Sequence, residues 1–359
     1  FARWHRDHQP FHWLTEFFGV MHSGGFDVVV GNPPYLARTK ISYRAALPGE
    51  NVFPDIYGHF VLRTLGLRHA SGRCGLIVPL SLTFGEDFEP LREALAAHGT
   101  NWLSSYDNIP AALFSGVSQR CTIWLAAPGA GPLVTSIMHR WRADYRGHLL
   151  ATVQYLELRE DWPSRYGTPK LRDPAHERVL ATLRRCAFAR PGLIFGGRSG
   201  TYALSFAAAA RNFISVFLTT PPELDAGTLR PAPKTELASV SLASGRVANA
   251  ALAATSGSLF FWYWLTRGDG FHVTPGIVRS FLGILGALDD RALDLLDECG
   301  ALIHERRNEC LVFKKNAGKY VGNFNYAPLA ELGRAADEVL LASLGVSPQD
   351  REAIYEHVQ

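Results

Sequence analysis

Four consecutive residues, Asn32-Pro33-Pro34-Tyr35, have the types and the spacing to hold a planar amine. The Asn32 amide oxygen and the Pro33 backbone carbonyl can each accept a hydrogen bond from an –NH2 group, and the Tyr35 ring can stack on a flat heterocycle. The two prolines fix φ and make the segment rigid. The same four residues also suit a plain turn, since consecutive prolines often mark loops.

The residues before this segment indicate where it lies. Phe26 to Val30 form a short apolar run, which is typical of a strand buried on both faces of a parallel sheet. In open α/β sheets, ligands bind beyond the carboxyl ends of the strands. The sequence therefore predicts that the four residues form a site at one edge of a sheet.

The next hundred residues continue as alternating helices and strands. The apolar spacing, Pro and Gly predict a helix from Pro54 to a stop at Gly72, a buried strand Gly75–Pro79, a helix around Phe88–Leu95 that ends at Gly99, and two paired strands, Trp102–Tyr106 and Cys121–Ala127. The pattern breaks at Pro128-Gly129-Ala130-Gly131-Pro132, where we expect a domain boundary that separates residues 1–131 from 132–359.

Beyond residue 132 the pattern is mixed, with helices predicted at Pro174–Arg185 and Ala327–Leu344. The uncharged segment Val247–Leu265 has the length of a membrane span. Because polar residues interrupt it, a buried helix that runs into a core strand is the favoured interpretation, and no membrane association is expected.

Composition restricts the partners and the compartment. With 36 basic and 33 acidic residues in 359, the formal charge is +3, which permits a local nucleic-acid patch without arguing for one. The five cysteines form no CxxC pair, so a reduced, cytoplasmic protein without a disulfide framework is expected. His5 and His8 lie three residues apart, but no Cys, Asp or Glu cluster completes a metal site. The chain begins with Phe1, which suggests that the start of a longer protein is missing.

Several stretches resemble one family of enzymes. The lead-in and the four residues, PFHWLTEFFGVMHSGGFDVVVGNPPYL, resemble motif IV of adenine-specific DNA methyltransferases, closest to the Eco57I-like, gamma-class enzymes of type II restriction–modification systems. DIYGHFVLRTLGLRHASGRCGLIVPLSLTF is similar to the motif V and VI region, and LFSGVSQRCTIWLA to motif VIII. GGRSGTYALSF, FFWYWLTRGDGFHVTPG and NAGKYVGNFNYAPL resemble the specificity region.

The resemblance implies roles for single residues. Asn32 and the Pro33 carbonyl, in the rigid turn that Pro34 completes, would accept hydrogen bonds from the adenine N6 of double-stranded DNA. Tyr35 and Phe114 would stack on the two faces of the flipped base. Asn32 and Phe60 would contact S-adenosylmethionine. Phe114 and Phe60 equally suit core positions. Some basic residues would touch DNA phosphates, although ordinary surface charge is the alternative for each: Arg198, Arg267, Lys314, Lys315 and Lys319.

The resemblance also indicates what the chain lacks. In this family the glycine-rich cofactor loop and its acidic partner precede motif IV, but only 31 residues precede Asn32, too few for three βα units. We therefore expect the C-terminal half of a Rossmann-like, S-adenosylmethionine-dependent methyltransferase sheet (residues 1–131), followed by a mixed α/β target-recognition domain (residues 132–359). An N-terminal half or a separate subunit would carry the missing cofactor motifs.

The function implied is site-specific adenine-N6 methylation in a restriction–modification or phage-defence system. Two alternatives remain open. One is a non-catalytic DNA-binding specificity fragment. The other is a protein glutamine N5-methyltransferase, which uses the same loop on an amide –NH2, although the long region after residue 132 argues against it.

Overall fold

The structure is a computed structural model that describes residues 2–8, 11–41, 53–114, 116, 118–187, 189–197, 200–233 and 237–358. The chain divides into two compact units, Phe1–Arg172 and Asp173–Gln359. The boundary predicted after residue 131 therefore has to move. The run 128–132 is only a connection inside the first unit, because the strand that follows it joins the same sheet.

The first unit holds six α-helices and six strands among its described residues. The helices are α1 (Ala2–His8), α2 (Trp13–Glu16), α3 (Phe18–His22), α4 (Tyr57–Leu67), α5 (Ser81–Phe84) and α6 (Glu89–Ala97). The strands are β1 (Phe26–Gly31), β2 (Arg68–Pro79), β3 (Thr100–Tyr106), β4 (Cys121–Ala127), β5 (Leu133–His139) and β6 (Leu156–Glu157). Short 3₁₀ turns lie at Arg38–Lys40, Glu86–Phe88, Ala143–His148, Leu150–Thr152 and Ser164–Tyr166.

The six strands form one mixed sheet in the order β1-β2-β4-β3-β5-β6. β1 and β2 are parallel, as are β3 and β5, while β4 runs antiparallel to both β2 and β3, and β6 is antiparallel to β5. The predicted pairing of the strands at 102–106 and 121–127 is confirmed. β4, which runs opposite to its neighbours β2 and β3, thus joins the parallel pair β1 and β2 to the parallel pair β3 and β5 in one sheet.

One face of this sheet carries the core of the unit. α4 and α6 pack their apolar stripes on β2, β3 and β4, and Trp124 lies fully buried among them. α6 ends at Ala97, and Gly99 follows with φ +121°, so the predicted glycine stop is confirmed. The predicted stop of α4 at Gly72 is wrong, since α4 ends at Leu67 and Gly72 lies inside β2. A Cβ atom on Gly72 would meet the Phe26 carbonyl at 2.6 Å, so this glycine allows two strands to approach.

The opposite face is open beside β1, which corrects the prediction of a strand buried on both faces. Val29 packs against the core, whereas Val28 and Val30 are 60% and 74% exposed. Val30 pairs with Gly75, and Gly75 pairs with Leu125, which is 42% exposed. Because β1 ends the strand order and side chains alternate along strands, its outward residues have no cover among the described residues.

The second unit is richer in helix. Its helices are α7 (Pro174–Cys186), α8 (Pro191–Ile194), α9 (Gly245–Ser256), α10 (Ser258–Arg267), α11 (Pro275–Leu282), α12 (Asp290–Glu305), α13 (Ala330–Ser343) and α14 (Pro348–Val358). Its strands are β7 (Tyr202–Phe206), β8 (Val216–Phe217), β9 (Glu223–Asp225), β10 (Ala238–Leu242), β11 (Leu311–Asn316) and β12 (Lys319–Phe324). Short 3₁₀ turns lie at Gly283–Ala287, Arg306–Cys310 and Ala327–Leu329.

Two small antiparallel sheets, β10-β7-β8 and β11-β12-β9, accompany these helices. The helices predicted at 174–185 and near 327–344 are confirmed. The segment 247–265 forms parts of α9 and α10, two helices separated by Gly257, and not a helix followed by a strand. Within the part of the chain that the structure describes, none of the helices is both long and apolar enough to cross a membrane.

Candidate active site

The segment Asn32-Pro33-Pro34-Tyr35 directly follows β1, at the edge where the parallel strands β1 and β2 present their carboxyl ends. Asn32 is exposed, Pro33 is buried and Pro34 is exposed. The predicted position of these residues beyond a strand end is therefore what the structure shows. An exposed amide next to a buried proline gives the segment one anchored residue and one residue that solvent can reach.

Tyr35 fixes the segment to the sheet. Its hydroxyl donates a hydrogen bond to the Ile77 carbonyl of β2 at 2.9 Å, and the Cys121 thiol of β4 lies 3.9 Å from the same oxygen. Burial, with a smaller effect of Cys121, raises the pKa of the Tyr35 phenol well above its ordinary value. The phenol therefore stays neutral and donates to the main chain, which leaves the ring as the part of Tyr35 that can contact a ligand.

The chain after Tyr35 also positions the start of α4. The Ile56 N–H donates to the Leu36 carbonyl at 3.0 Å, and the Arg38 N–H donates to the Pro54 carbonyl at 2.7 Å. On α4, Phe60 is 46% exposed, so the alternative of a core phenylalanine does not fit the structure. The segment that carries Asn32 and the helix that carries Phe60 are thus joined by backbone hydrogen bonds.

The connection between β3 and β4, which carries Phe114, is held by charged side chains. Asp107, at the end of β3, is buried and forms ion pairs with Arg120 at 2.8 Å and Arg140 at 2.9 Å. The Arg146 guanidinium donates to the carbonyls of Leu113 at 2.7 Å and Ala112 at 2.9 Å. The same guanidinium lies over the Trp141 ring at 5.1 Å from its centroid.

Phe114 itself is half-buried in this connection. No contact between Phe114 and Tyr35 is recorded in the described residues, so their joint role remains a prediction. Sequence reasoning missed Arg146, Asp107 and Cys121 as supports of the site. The one available signal was Asp107, a polar residue directly after a strand; its arginine partners lie 13 and 33 positions further along the chain.

The cations that the sequence suggested for DNA binding differ in their exposure and in their contacts. Lys314 and Lys315 are exposed on β11, and Arg267 is half-buried in the last turn of α10. Lys319 forms an ion pair with the buried Glu223 at 3.4 Å and donates to the Pro233 carbonyl at 2.6 Å, so a structural role accounts for it. Arg198 lies outside the described residues.

The residues described here fit only part of a methyl-donor site. Asn32 and Phe60 are accessible near the strand edge, but the described residues before β1 form α1, α2 and α3 and contain no glycine-rich turn after a strand. Within the described ranges, no group of three or more His, Cys, Asp or Glu side chains could hold a metal ion. All five cysteines are free.

Part of the chain is similar in sequence to known restriction-modification proteins. Residues 2–107 match the family model of the Eco57I restriction-modification methylases. A curated protein of Methanocaldococcus jannaschii, named as a type II restriction enzyme and methyltransferase, is 35% identical over 92 residues. The matched part is 24% of this chain and 8% of that protein, so the chain corresponds to a small part of that protein's length.

A solved structure gives the likeness in fold. The Type IIL restriction-modification enzyme MmeI, in complex with DNA, superposes with a TM-score of 0.50 at 10% identity, over 92% of this chain and 56% of that one. At this identity the likeness concerns the fold alone. The family match, in contrast, covers β1, the residues that follow it, and the elements through β3. The resemblance of residues 2–107 to the Eco57I restriction-modification methylases is thereby confirmed.

Proposed function

We propose that this chain is part of a site-specific DNA methyltransferase that methylates adenine N6 in a restriction–modification or phage-defence system. The observation that carries the proposal is the exposed Asn32 amide at the carboxyl edge of β1 and β2, in the segment that matches the Eco57I family model. The order β1-β2-β4-β3, with β4 reversed, supports assigning the first unit to the C-terminal half of a Rossmann-like methyltransferase sheet.

The chemistry assigned to the segment is the holding of an exocyclic amine. The Asn32 amide oxygen and the Pro33 carbonyl accept the two N–H groups of adenine N6, which favours a tetrahedral nitrogen whose lone pair is available. S-adenosylmethionine, when bound, supplies the methyl group. The proton leaves N6 after attack, so the segment needs no side chain that acts as a strong base.

Tyr35 and Phe114 are the residues that we assign to holding the adenine outside the duplex. Because N6 is engaged in pairing inside a duplex, the adenine has to leave the stack before it can reach Asn32. We assign the Tyr35 ring to one face of the extruded base and Phe114 to the other. Stacking of this kind is worth about 1–3 kcal/mol per base, which offsets a good part of the unstacking.

The first unit also has a surface suited to a completing partner. β1 ends the strand order, and its Val28 and Val30 side chains are exposed. An unpaired strand edge can accept a further strand, and an apolar face can be covered by helices. We propose that an N-terminal half or a subunit with the cofactor motifs packs here, beside Asn32 and Phe60.

The test is methyl transfer from tritiated S-adenosylmethionine to double-stranded DNA, with this chain supplied together with a segment that carries the cofactor motifs. Asn32→Ala is expected to lower label in N6-methyladenine by about 100-fold, the effect typical of removing one preorganised hydrogen-bonding group. Asn316→Ala, at an exposed asparagine of β11, is the matched control. Equal labelling by the Asn32→Ala variant and the unmodified chain would overturn the proposal.

A second candidate is a non-catalytic DNA-binding protein. The helical residues before β1 favour it, because the described chain offers little of a cofactor pocket. This candidate predicts salt-dependent DNA binding and no heat of S-adenosylmethionine binding in calorimetry, even with the completing segment present. A saturable calorimetric isotherm would exclude it.

A further inference from the structure

A pocket of about 280 Å³ opens on the second unit, and none of the residues that the proposed methylation uses lines it. Its lining includes the aromatic residues Phe213, Phe261 and Tyr326 and the asparagines Asn212 and Asn325. This volume is slightly below the ~300 Å³ at which sites for drug-sized ligands begin. Flat rings with a few amides suit one small planar group.

The two amides have hydrogen-bonding capacity left. Asn212 is exposed, and Asn325 is half-buried. The Asn325 Oδ1 atom accepts the Ala327 N–H at 3.3 Å, which directs its amide nitrogen elsewhere. In the described ranges, neither side-chain nitrogen donates to another residue, so both can donate to acceptor atoms of a ligand.

The start of α10, which also lines the pocket, does not provide an anion site. The buried Asp337 carboxyl already accepts the Leu259 N–H at 3.1 Å, and a Cβ atom on Gly257 would collide with that carboxyl. A positive charge contacts one of the lining residues instead. The Lys314 ammonium is 4.5 Å from the centroid of the Phe213 ring, and Phe213 lines the pocket. The pocket thus has an uncharged, partly aromatic lining, and one of its aromatic residues also contacts a lysine.

We propose that this pocket binds a nucleotide, with the base among the rings and amides and the phosphate on Lys314. The base of a nucleotide offers a planar π-face and acceptor atoms in its ring. The phosphate of the nucleotide supplies an anionic partner for the Lys314 ammonium. The assignment of DNA as the source of the nucleotide rests on the proposed function, whereas the binding of a nucleotide does not. A free nucleotide has the same chemistry.

The first experiment is a ligand-detected NMR titration of the full chain with nucleoside 5′-monophosphates and with the corresponding nucleosides. We expect saturable binding, with the monophosphates about threefold to tenfold tighter than the nucleosides, as expected for one exposed ion pair of about 1 kcal/mol. Lys314→Ala should abolish this difference. Lys315→Ala should preserve it, because neighbouring side chains on a strand point to opposite faces.

Asn212→Ala should weaken monophosphate and nucleoside binding equally, since it acts on the base. Its exposure makes a folding defect a poor explanation, and equal melting temperatures of all variants will check this. Absence of saturable binding, or equal effects of Lys314→Ala and Lys315→Ala, would overturn the proposal. Retention of binding in Asn32→Ala separates this pocket from the site beside β1.

The second experiment identifies the source of the nucleotide. For single-stranded DNA, whose bases are free to enter the pocket, the slope of log binding constant against log salt concentration should become shallower by about 0.7 in Lys314→Ala. The slope should stay unchanged in Lys315→Ala. An unchanged slope, together with the loss of the preference for monophosphates in Lys314→Ala, would assign the pocket to a free nucleotide. Failure of methyl transfer with both titrations intact would count against the proposed function alone.

Discussion

The Tyr35 hydroxyl is the best-defined single contact of the candidate site. It donates to the Ile77 carbonyl, which is half-buried in β2. Tyr35→Phe keeps the ring and removes this bond, so we expect the free energy of unfolding to fall by about 1 kcal/mol in a denaturant titration. Tyr145→Phe, at a tyrosine that is 60% exposed, is the control. Equal stability of both variants would show that the hydroxyl does not anchor the segment.

Asp337 gives the second unit a distinct pH dependence. Burial raises the pKa of its carboxyl to about 8. In the unfolded chain an aspartic acid titrates near pH 4, so between about pH 4 and pH 8 only the folded state holds this proton. The contribution of Asp337 to stability therefore falls as the pH rises through this window and is constant above it.

Asp337→Asn keeps an oxygen that can accept the Leu259 N–H and removes the titration. We expect this variant to gain stability relative to the unmodified chain as the pH increases from 5 to 8, measured as the difference in melting temperature. Glu331→Gln, at an exposed carboxylate on the same helix, controls for the loss of one negative charge. A difference that does not vary with pH would contradict the prediction.

At this scale the sequence predicts which residues carry the chemistry, and that assignment stays a prediction, but it does not indicate what holds those residues. The types and order of Asn32 to Tyr35 are sufficient for the prediction. Ile77 and Cys121, the partners of the Tyr35 hydroxyl, lie 42 and 86 positions away. Their proximity depends on the register of β1 with β2 and of β2 with β4, which no local pattern contains.

At the scale of elements, the connection between β3 and β4 is held by Arg146. This arginine bonds two successive carbonyls, those of Ala112 and Leu113, next to Phe114. Arg146→Ala should loosen the connection, and we expect faster amide hydrogen exchange in residues 111–114 by about tenfold, because each lost bond of this kind is worth roughly 1 kcal/mol or more.

Arg142→Ala is the matched control for this variant. Arg142 is an exposed neighbour that pairs only with the exposed Asp144 in the described residues, at 3.5 Å. Its replacement should leave exchange in residues 111–114 unchanged. Arg146→Lys should fall between the two variants, since one ammonium lacks the planar fork that reaches two carbonyls. Equal exchange in the Arg142 and Arg146 variants would remove Arg146 as the support.

The elements themselves were predicted where local signals agree. The apolar spacing of α6 and its glycine stop were sufficient. The prediction of a helix end at Gly72 is wrong because a glycine in the sequence suits a helix end and a close approach of two strands equally well. The exposure of Val28 and Val30 could not be predicted either, since an apolar run does not reveal whether a strand has a neighbour on each side.

At the scale of the whole molecule, we expect the open face beside β1 to promote association between chains. Val30 is 74% exposed on an end strand, an arrangement that favours association between chains. Val30→Lys should reduce self-association, measured by sedimentation velocity at equal concentrations. Val29→Lys, one position away, should instead unfold the unit, because Val29 packs against the core. Unchanged association in Val30→Lys would show that this edge is not the contact surface.

The boundary between the two units could not be predicted from the positions of glycine and proline in the sequence. The run 128–132 has the glycines and prolines of a linker, yet it connects β4 to β5 within one sheet. The division between Arg172 and Asp173 is flanked by Gly167, Pro169 and Pro174, but they do not form a continuous run. The pairing of β5 with β3, which is a tertiary contact, shows that the first unit continues past residue 132.

The way the chain leaves the first unit has a practical consequence for dissecting the protein with proteases. The Thr168 N–H donates to the Thr83 carbonyl at 2.7 Å, and the Thr135 hydroxyl donates to the Pro169 carbonyl at 2.8 Å. Leu171 is fully buried, whereas Arg172, the residue that trypsin recognises, is exposed. A protease has to pull an extended stretch of chain into its cleft. Nicking at this junction therefore reports the local release of residues 168–171 from Thr83 and Thr135, not the mere presence of two units.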